Sequence, residues 1–237
     1  MNFTIGIITE LGVWDGVLES IISQKIPEFE IIIVGGDRPV SSCDIRHIPF
    51  DESIKKGWIT KKKNIITSES KYDNIVYIHD YYALCDGWYD GFVKFGNDWD
   101  IAMNIILNKD GSRFRDWCAW DDPDLGCLSG DNGYSRPVGK MNVCLPSYSY
   151  DKKQYMYISG GYWVAKKRVM EEQPLDEAFV WGSGFMDFPH HEDVEWSMRT
   201  VPYYDYKMNV HSKTKTLKEK ELYAREIDFF GYKFDEN

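Results

Sequence analysis

The stretch best equipped for chemistry is Val76-Tyr77-Ile78-His79-Asp80-Tyr81-Tyr82. An apolar run that ends in His-Asp puts two cation-capable side chains at the carboxyl edge of a strand. A hard divalent ion takes carboxylate and water oxygens, and manganese also takes imidazole. The same pair has a structural reading, in which Asp80 caps the following helix and His79 bonds to backbone. A second stretch, Pro189-His190-His191-Glu192-Asp193-Val194-Glu195-Trp196, looks at first like a metalloprotease helix. HExxH needs a second histidine at 195, where this chain has glutamate, so that reading fails. What remains is a Glu-Asp pair at a helix start. It is either a general base beside a substrate or an acidic first turn that complements the helix dipole.

Two glycine pairs carry similar double readings. In Ile158-Ser159-Gly160-Gly161-Tyr162-Trp163 the glycines would let a ligand approach the backbone and the aromatics would offer a stacking surface; a β-bulge with core aromatics is the alternative. Gly35-Gly36-Asp37 is a tight turn or a nucleotide-binding corner, and without GxGxxG it gives little support to a dinucleotide cofactor.

The elements that must position these residues alternate in type. Thr4 to Thr9, Glu30 to Val34 and Asn74 to His79 read as buried strands. Val13, Trp14, Val17, Leu18, Ile21 and Ile22 recur at helical spacing, and Gly57 to Ser70 forms an amphipathic helix among three lysines. This is the βαβ pattern of an α/β domain with a mostly parallel central sheet and helices on both faces, whose ligands gather at the carboxyl ends of the strands. Residues 110 to 150 hold too much Gly, Asp, Pro, Ser and Tyr for a structural connection and read as a substrate-facing segment. Further on, Tyr157 to Ala165 and Lys207 to Val210 read as strands, and Glu192 to Arg199 and Leu217 to Phe230 as helices.

Composition bounds the function. In 237 residues with a net charge of -10, a broad basic face for a nucleic-acid backbone is not expected. The aromatic fraction of 16% suits stacking on sugar or base rings. The run Ile5 to Ile8 lacks a basic start and breaks at Glu10, so neither a signal peptide nor a membrane span is expected. Cys43, Cys85, Cys118, Cys127 and Cys144 form an odd set without CxxC spacing, which suits thiols in a reducing cytoplasm.

In their order along residues 3 to 215, these motifs resemble a glycosyltransferase of the GT-A fold. The order runs from the first strand through Asp37, Lys62-Lys63-Asn64, Ile78-His79-Asp80, Gly160-Gly161 and Trp181-Gly182-Ser183-Gly184 to Glu192-Asp193 and His211. The likeness is to the inverting family 2 type, with late motifs similar to the β-1,4-galactosyltransferase branch. It implies one GT-A domain over 1–237, with 1–100 as the nucleotide-binding half, 101–216 as the acceptor and catalytic half, and 217–237 as a C-terminal helix and tail. It further implies that Thr9, Glu10 and Asp37 line the nucleoside pocket and that Lys63 lies near the base and diphosphate. Asp80, beside His79, falls at the DxD-type motif for Mn2+ or Mg2+, with His211 as a late metal ligand. Gly160, Gly161 and Trp163 floor the donor and acceptor sites, Trp181 and Glu192 meet the acceptor, and Asp193 is the catalytic base.

Two departures stand out. The triplet His79-Asp80-Tyr81 keeps one carboxylate where the motif has two, and Phe185 to His191 is an insertion. The resemblance implies transfer from a nucleotide-sugar donor, a UDP-sugar in the first instance, to a hydroxyl of a glycan or glycoprotein. With one base and no apposed second carboxylate, inversion is the simpler course. The rivals are a silent carbohydrate- or nucleotide-binding protein of the same fold, and a nucleotidyltransferase. The latter wants a glycine- and basic-rich loop after the first strand, which Thr9-Glu10-Leu11-Gly12 is not. Oligomeric state, donor sugar and acceptor are not legible in the sequence.

Overall fold

A computed structural model of the chain describes residues 1–41, 43–120, 122, 143–183 and 191–218. An eight-stranded sheet joins β1 (Phe3–Ile8), β2 (Phe29–Val34), β3 (Ile45–Ile48), β4 (Asn74–His79), β5 (Tyr82–Leu84), β6 (Ile101–Leu107), β10 (Tyr162–Lys166) and β11 (Tyr206–Thr216), and the β-branched, apolar runs form its inner strands β1, β2 and β4. Its order is β3-β2-β1-β4-β10-β6-β11-β5. All strands run parallel except β10, which is antiparallel to both neighbours, and the edge strand β5. A small second sheet joins β7 (Cys118–Trp120), β8 (Val143–Cys144) and β9 (Met156–Tyr157).

Helices cover both faces because the strands are apolar on both. The helices are α1 (Val17–Ile22), α2 (Ile59–Glu69), α3 (Trp88–Phe95), α4 (Lys167–Glu172) and α5 (Glu192–Thr200). On one face Phe3 of β1 packs its ring against Trp88 and Phe92 of α3, with centroids 5.1 and 5.5 Å away. On the other, Gly6 of β1 is close enough to Ile66 of α2 that a Cβ there would lie 2.3 Å from the isoleucine Cγ2. Alternate residues of one strand thus serve opposite layers, as strand geometry requires.

Several expected bounds move. The first helix begins at Val17 rather than Val13, because Gly16 takes φ 85° and Trp14 N–H donates to the Asp80 carbonyl at 3.0 Å instead of entering a helix. The strand expected at Lys207 extends to Thr216 and bulges between Asn209 and Lys213. β3, β5, β6, α3 and α4 carried no sequence expectation. The expected helix from Leu217 lies outside the described residues from 219 on, as do Cys127, Gly184 and 185–190 of the insertion.

Candidate active site

The chain leaves β1 toward β2 and β3 on one side, and β4 lies on the other, so the carboxyl ends of β1 and β4 diverge and open a crevice. A cavity of about 700 Å³ sits there, lined among others by Thr9, Lys62, His79, Asp80, Trp181 and Lys218. Thr9 is buried at its floor. The Thr9 hydroxyl donates to Asp80 Oδ2 at 2.7 Å and accepts from Gly12 N–H at 2.9 Å, which binds the loop after β1 to the end of β4. Glu10 lines the same cavity. Gly35 and Gly36 turn the chain after β2 at φ 89° and 59°, a region that favours glycine. A Cβ on Gly35 would lie 2.3 Å from the Thr9 carbonyl. Asp37 is exposed, and its N–H donates to the Leu11 carbonyl at 3.3 Å.

The two lysines of α2 divide. Lys62 reaches the cavity wall, donates to the Thr9 carbonyl at 2.7 Å and pairs with Glu52. Lys63, expected near the base and diphosphate, points elsewhere: adjacent helical residues project about 100° apart. Its ammonium donates to the Gly160 carbonyl at 2.8 Å and lies 4.4 Å from the Trp163 ring centroid. Trp163 offers no stacking face to an acceptor. It is fully buried, stacked on Tyr77 at 4.8 Å and packed on Trp196 of α5 at 6.2 Å. Trp181 is 59% exposed at the cavity mouth, its N–H held by the Gly57 carbonyl at 2.8 Å.

Beside the crevice, the turn before β10 meets the start of α5. Asp193 Oδ2 accepts the Gly160 N–H at 2.9 Å, and Ser197 Oγ accepts the Ile158 N–H at 3.1 Å while donating to the Asp193 carbonyl at 2.6 Å. The room left by the glycines is filled by protein. A Cβ on Gly160 would lie 2.9 Å from Asp193 Oδ2 and 3.0 Å from Glu192 Oε1, and one on Gly161 would lie 2.7 Å from the Tyr82 ring. His79 N–H donates to the Gly161 carbonyl at 3.0 Å, so the carboxylate pair is one strand from the cavity. Burial, then the neighbouring Asp193 carboxylate, pushes Glu192 up to about 7, against the pull of Lys63. Burial pulls Lys63 down, and Glu192 and Asp193 oppose it.

Sequence reasoning gave the role in the Lys62-Lys63 pair to Lys63 rather than Lys62, and missed Lys218 and Arg115. The loop after β6 is fixed by the buried Asp116, which accepts from Ile106 N–H, Trp117 N–H, Arg113 Nε and the Tyr148 hydroxyl at 3.2, 2.6, 2.8 and 2.8 Å. That loop brings the charge of Arg115 to bear on both His79 and Glu192. The signal available was Arg113-Phe114-Arg115-Asp116-Trp117, a charged and aromatic run inside a long connection.

No family model and no curated protein matches the sequence. Solved structures do. TarS 1–349 of S. aureus is 10% identical, with a TM-score of 0.59 over 94% of this chain and 63% of that one. GalNAc-T7, crystallised with UDP, GalNAc and Mn2+, is 12% identical, with a TM-score of 0.60 over 92% and 44%. TarS 1–349 in complex with UDP-GlcNAc gives 9%, a TM-score of 0.57, and 92% and 59%. The chain has a GT-A-like fold. It spans less than two thirds of the length of these chains.

The GT-A fold raises the question of a divalent cation. Asp80 supplies the one carboxylate of the strand-end motif, and its Oδ2 already holds the Thr9 hydroxyl. His211, expected as a ligand, is not among the residues that line the cavity with it. β11 meets β5 with Thr216 opposite Tyr82, and His211 lies back along β11, beyond Lys213. It sits in the bulge, where its carbonyl crowds Gly91 of α3 and its N–H donates to Asn209 Oδ1 at 2.9 Å. Among the described residues no group of three His, Cys, Asp or Glu side chains could hold a metal ion. These residues do not fit Mn2+ or Mg2+.

Proposed function

We propose that the chain is a glycosyltransferase that moves a sugar from a nucleotide-sugar donor, a UDP-sugar in the first instance, to a hydroxyl of a glycan or glycoprotein. The observation that carries the proposal is the adjacency of two features on a GT-A-like fold: the cavity at the diverging ends of β1 and β4, and the Glu192-Asp193 pair one strand away. The ligands of the neighbouring structures, UDP, GalNAc and UDP-GlcNAc, support it.

In this reading the nucleotide lies in the cavity near Thr9, Lys62 and Trp181. Asp193 takes the proton of the acceptor hydroxyl as its oxygen attacks the anomeric carbon, and the bond from that carbon to the diphosphate oxygen breaks. The nucleoside diphosphate leaves with the electron pair, with inversion at the anomeric carbon. A base of this kind commonly contributes around a hundredfold or more in rate. Lys63 keeps the two buried carboxylates compensated and ties them to the Gly160 turn, so their position is set before substrate arrives. Incubation with a panel of nucleotide sugars, reading release of nucleoside diphosphate with and without simple glycan acceptors, tests the proposal. Absence of release from every donor tried, alongside UDP binding in calorimetry, would indicate a silent binding protein instead.

A further inference from the structure

The cavity carries cations of its own at the place where GT-A chemistry would put a metal. Lys56, Lys62 and Lys218 line it against Glu10 and Asp80. The Lys218 ammonium lies 3.6 Å from the centroid of the Tyr81 ring, directly beside the strand-end motif. Leu217 N–H donates to the Tyr81 carbonyl at 2.8 Å, so the exit of β11 holds Lys218 against the end of β4. Lys218 and Lys62 both act on Asp80 and on His79.

His79 completes the arrangement. The Tyr81 hydroxyl is 3.2 Å from Nδ1. With that hydroxyl donating, the ring proton sits on Nε2, a buried atom without a protein partner among the described residues. An N–H donor and ammonium groups suit phosphate oxygens, and the lysine charges repel a divalent ion.

We propose, building on the glycosyltransferase reading above, that this site binds the nucleoside diphosphate directly through Lys62, Lys218 and His79 and uses no divalent cation to do so. Lys218 takes the position that a metal ion would otherwise hold between Asp80 and the diphosphate. It neutralises the leaving group as charge develops on it. Asp80, in this arrangement, orders Thr9 and the loop after β1 and is electrostatically unfavourable to the ligand.

Calorimetry with UDP on the full chain tests this, once in buffer with EDTA and once with saturating MnCl2. Affinities within about twofold of each other are expected, with Lys218→Ala about tenfold weaker in both buffers and Lys218→Arg close to wild type. Asp80→Asn keeps the acceptor for Thr9 but removes a negative charge, so UDP should bind about threefold more tightly. Circular dichroism melts confirm that each variant is folded. Binding that appears only with manganese, or an Asp80→Asn variant that binds UDP no better than wild type, overturns the inference and leaves the glycosyltransferase reading standing. No UDP binding in either buffer overturns both.

Discussion

The Asp193 carboxylate at the start of α5 accepts the backbone N–H of Gly160 at 2.9 Å, joining an acidic helix start beside the crevice to the turn that precedes β10. Val194 N–H donates to the other Asp193 oxygen at 2.9 Å, so the carboxylate is oriented before any acceptor arrives. Asp193→Asn preserves the shape but cannot take a proton. It should leave UDP affinity intact while single-turnover transfer falls about a hundredfold or more. If Glu192→Gln shows the larger fall, the base is Glu192, and a fully active but less stable Asp193→Asn would reduce Asp193 to a helix-capping group.

Gly160 is where the two carboxylates converge, and a methyl there would press on both. Gly160→Ala should cost about 1–3 kcal/mol of stability through overpacking. Since the cavity lies one strand away, transfer should fall more steeply than UDP affinity. Equal losses in both would mean that the substitution disturbs the whole sheet edge; chemical denaturation run beside the kinetics separates the cases.

Glu192 gives the protein a pH signature. Its carboxyl titrates near 7 in the folded chain, against 4.5 for an ordinary glutamate. The folded state therefore binds the proton more tightly than the unfolded chain, and the associated stability, present below about 4.5, is lost as pH rises through about 7. Glu192→Gln removes this titration. The melting temperature of the variant minus that of wild type should climb by about 4 °C or more between about pH 5 and pH 8. A difference that stays flat across that range would show that Glu192 does not ionise there.

Lys62 and Lys63 are neighbours in sequence with opposite duties, and they should separate cleanly. Lys63→Met leaves Glu192 and Asp193 buried without their counter-charge and should destabilise by about 3 kcal/mol. Lys62→Met, on the cavity wall, should weaken UDP binding about tenfold. Reversal of the two outcomes in paired melts and titrations would return Lys63 to the donor site.

His211 lies in the β11 bulge, outside the residues that line the cavity with Asp80, so His211→Ala should leave manganese and UDP titrations superimposable on wild type. A shift in the manganese titration midpoint of the variant would place it back among the ligands.

Much of the fold was legible because apolar, β-branched runs bounded by polar residues define buried strands whatever surrounds them. Those runs gave β1, β2 and β4, and with them the residues at their carboxyl ends, Thr9, His79 and Asp80, since a strand's end fixes what stands at the sheet edge. The start of α5 at Glu192-Asp193 was local information too. Direction was not. Lys62 and Lys63 differ only in the phase of α2 against the sheet, which depends on how Ile66 seats over Gly6. Trp163 became core rather than a ligand platform because α5 lays Trp196 against it and Tyr77 stacks from β4. His211 was drawn away from Asp80 by the pairing of β11 with β5, and the same pairing delivered Lys218 to the cavity. Each of these outcomes is set by contacts between residues distant in sequence, and a linear pattern carries no record of which side chain will face which neighbour.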